Sequence, residues 1–231
     1  MRTLGLLTPV GANTFRYYLH ALDREVRQRS QRDDSAKLIA MSFGQAEHLL
    51  VEEKWWTFAQ RIRGYVRDLS RGGADACILG SLAWYRFADE IAENSPLPLL
   101  HPIDALRREF SRRDADPHSP VGFIGPGLAS YPGPLLDRLA SATQREVIVP
   151  AEFRLRRDTP PREGEAFERT DVLRLISQLR RAGAAMIVVA TPELAELLDA
   201  DDLGSHLYNL PEIHVAAAAE WMLARSSEAL P

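Results

Sequence analysis

Ser81 and Thr191 each close an apolar run that opens with Gly-Ala, "GADACILGS" from Gly73 and "GAAMIVVAT" from Gly183. Both runs read as buried strands feeding helices, and open parallel sheets hold ligands beyond the carboxyl ends of their strands. A hydroxyl at that point contacts a ligand, or accepts an orphan N–H of the next helix as a cap. Pro192 directly after Thr191, at a first helical position, strengthens the capping pattern there. Glu193 follows, either as a general base or as an acid suited to a helix first turn. His214 opens the last helical stretch, where it holds a ligand carboxylate, acts as an acid, or serves the structure alone. Glu193 and His214 form a base–acid pair without thiols if both face one site. The single cysteine, Cys77, sits between Ala76 and Ile78 inside its strand and reads as core.

The elements needed to position these groups follow from the hydrophobic pattern. "RTLGLL" is strand-like, and Asn13 or Thr14 can cap a helix carrying Tyr18, Leu22 and Val26. "AKLIAMSF" is a second strand, followed by a helix through Trp55, Trp56, Phe58, Ile62, Val66 and Leu69. "DACILG" is a third strand with a helix to about Glu93, and "LPLLHPI" reads as a fourth. "PVGFIG", "REVIVP", "AAMIVVA" and "HLYNL" are the later strands. The charged, Pro- and Gly-containing stretch after "REVIVP", residues 151–167, reads as a covering loop. Strands alternating with helices imply a parallel α/β sheet with right-handed crossovers.

A repeat test sharpens this. The runs from Gly73 and Gly183 overlay at an offset of 110 (183 − 73), which carries Ser81 onto Thr191 and Ile103 onto Ile213. The opening "TLGLLTPVG" overlays "PVGFIGPGL" at a slightly different offset. The competing reading is that α/β strands simply look alike. A true repeat makes two similar lobes joined near residues 110–120, with Ser81 and Thr191 on opposite walls of one cleft.

Composition sets the bounds. The chain has 231 residues, 45% hydrophobic and 26% charged, enough for one large domain or two lobes. A net charge of -4, from 28 basic and 32 acidic residues, argues against nucleic acid and anionic membranes as partners. No apolar run approaches the ~18 residues of a membrane span. The start breaks its apolar run at Pro9 and Gly11, too early for a signal peptide. One cysteine excludes an intramolecular disulfide, and neither metal-ligand spacing nor a nucleotide-binding glycine pattern occurs. A cytoplasmic protein without metal or cofactor is the expectation.

The ordered set "TLGLL", "MSFGQAEHL", "GAD…FADEI", "PLPLLHPIDA", "VGFIGPG", "GAAMIVVATPEL" and "PEIHVAAAAEWML" resembles the aspartate/glutamate racemase superfamily over nearly the whole chain. The resemblance implies two pseudo-symmetric three-layer α/β lobes with parallel-rich sheets, over 1–112 and 118–231. A final helix at 212–225 would pack back onto the first lobe. It also implies a homodimer, or pairing with an active homologue. Racemising members use two cysteines, one per lobe, to move a proton at Cα. The first lies in Cys-Asn-Thr, where this chain reads Ser81, Leu82 and Ala83; the second lies in Cys-Thr-Glu, where it reads Thr191, Pro192 and Glu193. The family's glycine-rich first turn is replaced by "TPVGANT" and its hydroxyl-rich second-lobe turn by "GPGLASYPG". Glu193, His214 and Glu47 remain matched.

These departures change the expected chemistry. A free cysteine titrates near ~8.5 and is brought into use by its neighbours, whereas a serine or threonine needs a partnered base. Two unassisted hydroxyls do not replace two thiolates. Trp84 and Tyr85 stand where the family has small and polar groups, narrowing the pocket; Tyr85 either packs or donates a proton. The expected site therefore comprises Ser81, Thr191, Glu193 and His214 as catalytic groups, with Asn13, Glu47 and Tyr85 as ligand contacts. One function is an acid–base enzyme of isomerase or lyase type, without pyridoxal phosphate, acting on a small carboxylate-bearing, amino-acid-like molecule. The other is a catalytically silent pseudoracemase that binds a ligand or partner.

Overall fold

The computed structural model of this chain describes residues 1–10, 12–30, 34–44, 46–51, 54–93, 95–113, 118–125, 133–150, 168–199, 202 and 206–224. The chain divides into two compact units, Met1–His101 with His214–Pro231, and Pro102–Ile213. Each holds its own parallel sheet, so the expected two-lobed α/β architecture is the one observed. The 151–167 stretch and "GPGLASYPG" beyond Gly125 lie outside the described residues up to Gly133 and Glu168.

The first unit is built on β1 (Leu4–Pro9), β2 (Leu38–Phe43) and β3 (Ala76–Leu79), in the order β2-β1-β3. Its chain order also contains α1 (Ala12–Arg29), α2 (Ala46–Val51), α3 (Trp55–Arg71), a 3-10 segment (Leu82–Phe87) and α4 (Ala88–Ala92). Side chains alternate across a strand, and the two sheet faces here are both apolar. Leu4, Leu6, Ala76 and Ile78 pack with Tyr18, Leu22 and Val26 of α1 and with Val215, Ala218 and Met222 of the last helix. On the other face α3 buries Phe58, Ile62, Val66 and Leu69, the expected helical spacing. Gly5 lies so near Leu69 that a Cβ there would stand 3.1 Å from its Cδ1. Truncating Leu22 or Ile62 to Ala would cost about 2–5 kcal/mol.

The second unit orders its strands β5-β4-β6-β7: β4 (Val121–Ile124), β5 (Val147–Ile148), β6 (Met186–Val189) and β7 (Leu207–Asn209). Its helices are α5 (Pro102–Arg112), α6 (Gly133–Thr143), α7 (Arg169–Arg181), α8 (Pro192–Ala195) and the start of α9 (Leu210–Leu223). Val172, Leu175, Ile176 and Leu179 of α7 pack against Ile124, Ile187, Val189 and Leu194.

The repeat is real at the level of single hydrogen bonds. Gly73 and Gly183 have φ of 94° and 97°, a left-handed conformation that favours glycine. Each closes a Schellman turn: Ala74 N–H reaches Leu69 O at 3.1 Å, and Ala184 N–H reaches Leu179 O at 3.0 Å. The strands that follow pair with β1 and β4 respectively, and Gly80 N–H to Leu7 O is matched by Ala190 N–H to Ile124 O.

One expected strand is absent. "LPLLHPI" forms only a single parallel bridge, Cys77 to Leu99. Its two rungs are made, Cys77 N–H to Pro98 O and Leu100 N–H to Cys77 O, both 2.9 Å. The next rung of a parallel ladder would run from Leu79 N–H to Leu100 O, and the one after would need an N–H on residue 102. The Leu79 N–H is taken by the Tyr85 hydroxyl at 2.9 Å, and residue 102 is proline. Both continuations are blocked. The helix expected up to Glu93 is likewise split, into the 3-10 segment and the five-residue α4.

Candidate functional site

In the first unit three hydroxyls gather at the carboxyl ends of the parallel strands. Thr8 of β1 and Ser42 of β2 are register partners, and their Oγ1 and Oγ atoms lie 3.4 Å apart. Thr8 is fully buried and Ser42 is exposed. Ser81 follows β3 with extended backbone (φ −123°, ψ 125°) and makes no side-chain cap bond to the 3-10 segment. Its carbonyl, not its hydroxyl, serves that turn, accepting from Trp84 N–H at 3.1 Å. The capping reading of Ser81 is therefore not the one built. The pairing of Thr8 with Ser42 is set by the β1–β2 register, which the sequence does not show; its one local signal is the strand-end hydroxyl in "TP".

Thr191 occupies the repeat-related position in the second unit, again extended (φ −133°, ψ 152°) and again without a side-chain cap bond. Its Oγ1 is buried and has no hydrogen-bond partner among the described residues. Pro192 is the first residue of α8, as its position suggested, and the Thr191 carbonyl accepts Ala195 N–H at 3.1 Å. Glu193 is exposed in the first turn of that short helix.

His214 and Tyr85 lie elsewhere than a solvent-facing acid or ligand contact would. His214 is the fifth residue of α9 and is 2% exposed. The helix opens at Leu210, and Asn209 Oδ1 accepts Glu212 N–H at 3.3 Å, so His214 is a turn inside the start. Its Nε2 stands 3.0 Å from the Leu100 carbonyl, which only accepts, so Nε2 carries the proton and donates. Burial lowers its pKa to about 4, against a smaller opposing effect of that hydrogen bond. The ring is neutral at pH 7, and its Nε2 proton is committed to the backbone. The Tyr85 hydroxyl accepts Leu79 N–H and donates to the same Leu100 carbonyl at 3.1 Å. Burial pushes its phenol well above the usual tyrosine range. Packing, the other role weighed for Tyr85, is the one realised: its ring stands edge-on to His101 at 4.8 Å and to His214 at 5.7 Å.

Asn13 lies within the first turn of α1, not before it, and its exposed Oδ1 accepts from Arg16 at 3.3 Å. Glu47 belongs to α2, and its side chain lies outside the described residues. Cys77 is fully buried, and desolvation pushes its thiol up to about 12. No thiolate is available at neutral pH. Trp84 is 1% exposed, packed among Phe43 and Phe58. Among the described residues, no group of three His, Cys, Asp or Glu side chains could hold a metal ion, and no helix is long and apolar enough to cross a membrane.

No protein-family model matches the sequence, and no curated protein matches it either. Solved structures do match in three dimensions. A candidate Asp/Glu racemase from Yersinia pestis superposes with a TM-score of 0.84 at 25% identity, covering 97% of this chain and 100% of its own. An aspartate racemase homologue from Pyrococcus horikoshii gives 0.79 at 19% identity, covering 96% and 99%. An arylmalonate decarboxylase gives 0.52 at 15% identity, covering 100% and 96%.

Proposed function

By its fold this chain belongs to the aspartate/glutamate racemase superfamily, and on that premise we propose that it binds a small carboxylate-bearing molecule at its strand ends and acts on it without thiolates. The observation that carries this reading is the pair of hydroxyls, Ser81 and Thr191. They occupy the same point of two repeated units, and neither is spent on capping the helix it precedes. A ligand carboxylate is an acceptor that such donors satisfy. The one thiol is buried and protonated, so two-thiol proton transfer is not the chemistry of this chain.

Glu193 is the remaining candidate base, exposed at the start of α8. A similarity to racemases and to a decarboxylase points to a reaction centred on the carbon beside a carboxylate, of isomerase or lyase type. A proton taken by Glu193 from that carbon, and returned to it by the carboxylic acid so formed, fits one carboxylate base and two neutral donors. His214 in this reading holds the fold beneath Ser81 and is not the acid.

A second reading has its own observation. With the His214 Nε2 proton committed to a backbone carbonyl, His214 is not available as the acid that the sequence offered, which favours a silent pseudoracemase that binds without turnover. Either reading carries a homodimer or pairing with an active homologue, which multi-angle light scattering tests directly.

The experiment is a titration of D- and L-aspartate, D- and L-glutamate and malonate, followed by NMR in deuterated water. Binding that weakens in Ser81→Ala and Thr191→Val supports the site. Turnover abolished in Glu193→Gln supports the enzyme; binding with no turnover of any of these supports the pseudoracemase. No binding of any of these carboxylates defeats the proposal.

A further inference from the structure

The two repeated units offer an internal comparison at the edge of their third strand. In the second unit β6 and β7 pair over three positions, Ile187 with Leu207, Val188 with Tyr208 and Val189 with Asn209. In the first unit the equivalent pairing stops after Cys77 and Leu99. The offset of 110 that relates Ser81 to Thr191 relates Tyr85 to Ala195. Ala195 has no side chain able to reach the ladder, and β7 closes onto β6. Tyr85 puts its hydroxyl between Leu79 N–H and Leu100 O, accepting from one at 2.9 Å and donating to the other at 3.1 Å. His214, from the last helix, donates to the same carbonyl at 3.0 Å.

We infer that the Tyr85 hydroxyl is a wedge, braced by His214, that holds the end of β3 apart from the 98–101 segment and so sets where Ser81 stands. Ser81 is two residues beyond Leu79, and its neighbour Gly80 is tied to β1 through Leu7 O at 2.7 Å. One edge of the strand end is therefore fixed by the sheet and the other by a phenol. A backbone pair joined through an interposed hydroxyl is wider than one joined directly, since two hydrogen bonds replace one. Tyr85 is thus a positioning residue: it donates nothing to a ligand, and its effect passes through the Ser81 backbone. The ligand-facing part of this inference rests on the proposed function; the wedge itself does not.

The test is Tyr85→Phe, which removes the hydroxyl and keeps the ring. With the wedge gone, Leu79 N–H is expected to bond Leu100 O directly, as β6 bonds β7, with a scalar coupling across that hydrogen bond and shifted Ser81 amide resonances. If malonate binds the parent protein, its affinity is expected to fall roughly tenfold or more, because a displaced contact group loses its alignment. Unchanged Ser81 resonances with no direct coupling would overturn the wedge. A direct coupling with unchanged malonate affinity would overturn the positioning role while leaving the wedge standing, and failure of the parent to bind malonate, aspartate or glutamate would count against the proposed function alone. If Tyr85→Phe does not fold, His214→Leu removes the brace with the wedge in place: faster hydrogen exchange at Leu79 is expected, and unchanged exchange would overturn the inference.

Discussion

Gly80 lies against Thr8 so closely that a Cβ on Gly80 would stand 2.7 Å from the Thr8 Cγ2. The Thr8 methyl fills the space a side chain at 80 would occupy, and the Thr8 hydroxyl is left facing Ser42. The repeat-related pair in the second unit is Gly125 and Ala190, small where the first unit is large and larger where it is small. Gly80→Ala is expected to destabilise the protein by about 1–3 kcal/mol through overpacking at a strand end. Thr8→Gly, the arrangement of the second unit, should relieve that clash, so the double mutant loses less than the two single mutants together. Denaturant midpoints of the four proteins measure it; strict additivity would show that the two side chains do not compete for the space.

His214 should write itself into the pH dependence of stability. Its folded pKa is lowered to about 4 from an ordinary value of 6.5. Between those values the unfolded chain binds the extra proton, so stability is fully present above pH 6.5 and is lost on acidification down to pH 4. The loss over that window is about 3 kcal/mol. His214→Gln, which keeps a donor for Leu100 O without a titrating ring, should flatten the slope between pH 4 and 6.5. Urea midpoints at half-unit pH intervals decide it, and an unchanged slope would place the titrating group elsewhere.

Thr191 carries a buried oxygen with no partner among the described residues. Thr191→Val keeps the shape and removes that oxygen, so the ligand-free protein is expected to gain about 1–2 kcal/mol. An ordinary helix cap behaves oppositely and loses about 1 kcal/mol on such a change. Thermal melts of the two proteins separate the cases, and a lower melting temperature for the variant would return Thr191 to a capping role.

Cys77 is expected to be inert in the folded state. With its thiol held near 12 by burial, alkylation by iodoacetamide at pH 8 should proceed only on unfolding. Cys77→Ala should leave unchanged whatever ligand binding or turnover the parent shows. Rapid labelling of the native protein, followed by mass spectrometry, would contradict the burial that removes this thiol from the chemistry.

The sequence by itself determined the strands whose apolar runs are bounded by turn glycines, and the repeat that relates Ser81 to Thr191. It did so because burial on both faces of a parallel strand and a left-handed Gly after a helix leave marks in consecutive residues: Gly73 and Gly183 could be read one against the other. It also determined that Cys77 is core, since its neighbours within the run are apolar. Only the tertiary structure decided the fate of "LPLLHPI" and of Tyr85. A ladder rung joins residues distant in sequence, and whether Leu79 bonds Leu100 depends on a phenol brought between them from the next turn. For the same reason the meeting of Thr8 with Ser42, and the burial of His214 against Leu100, follow from strand register and helix docking; no local pattern encodes which distant backbone a side chain will face.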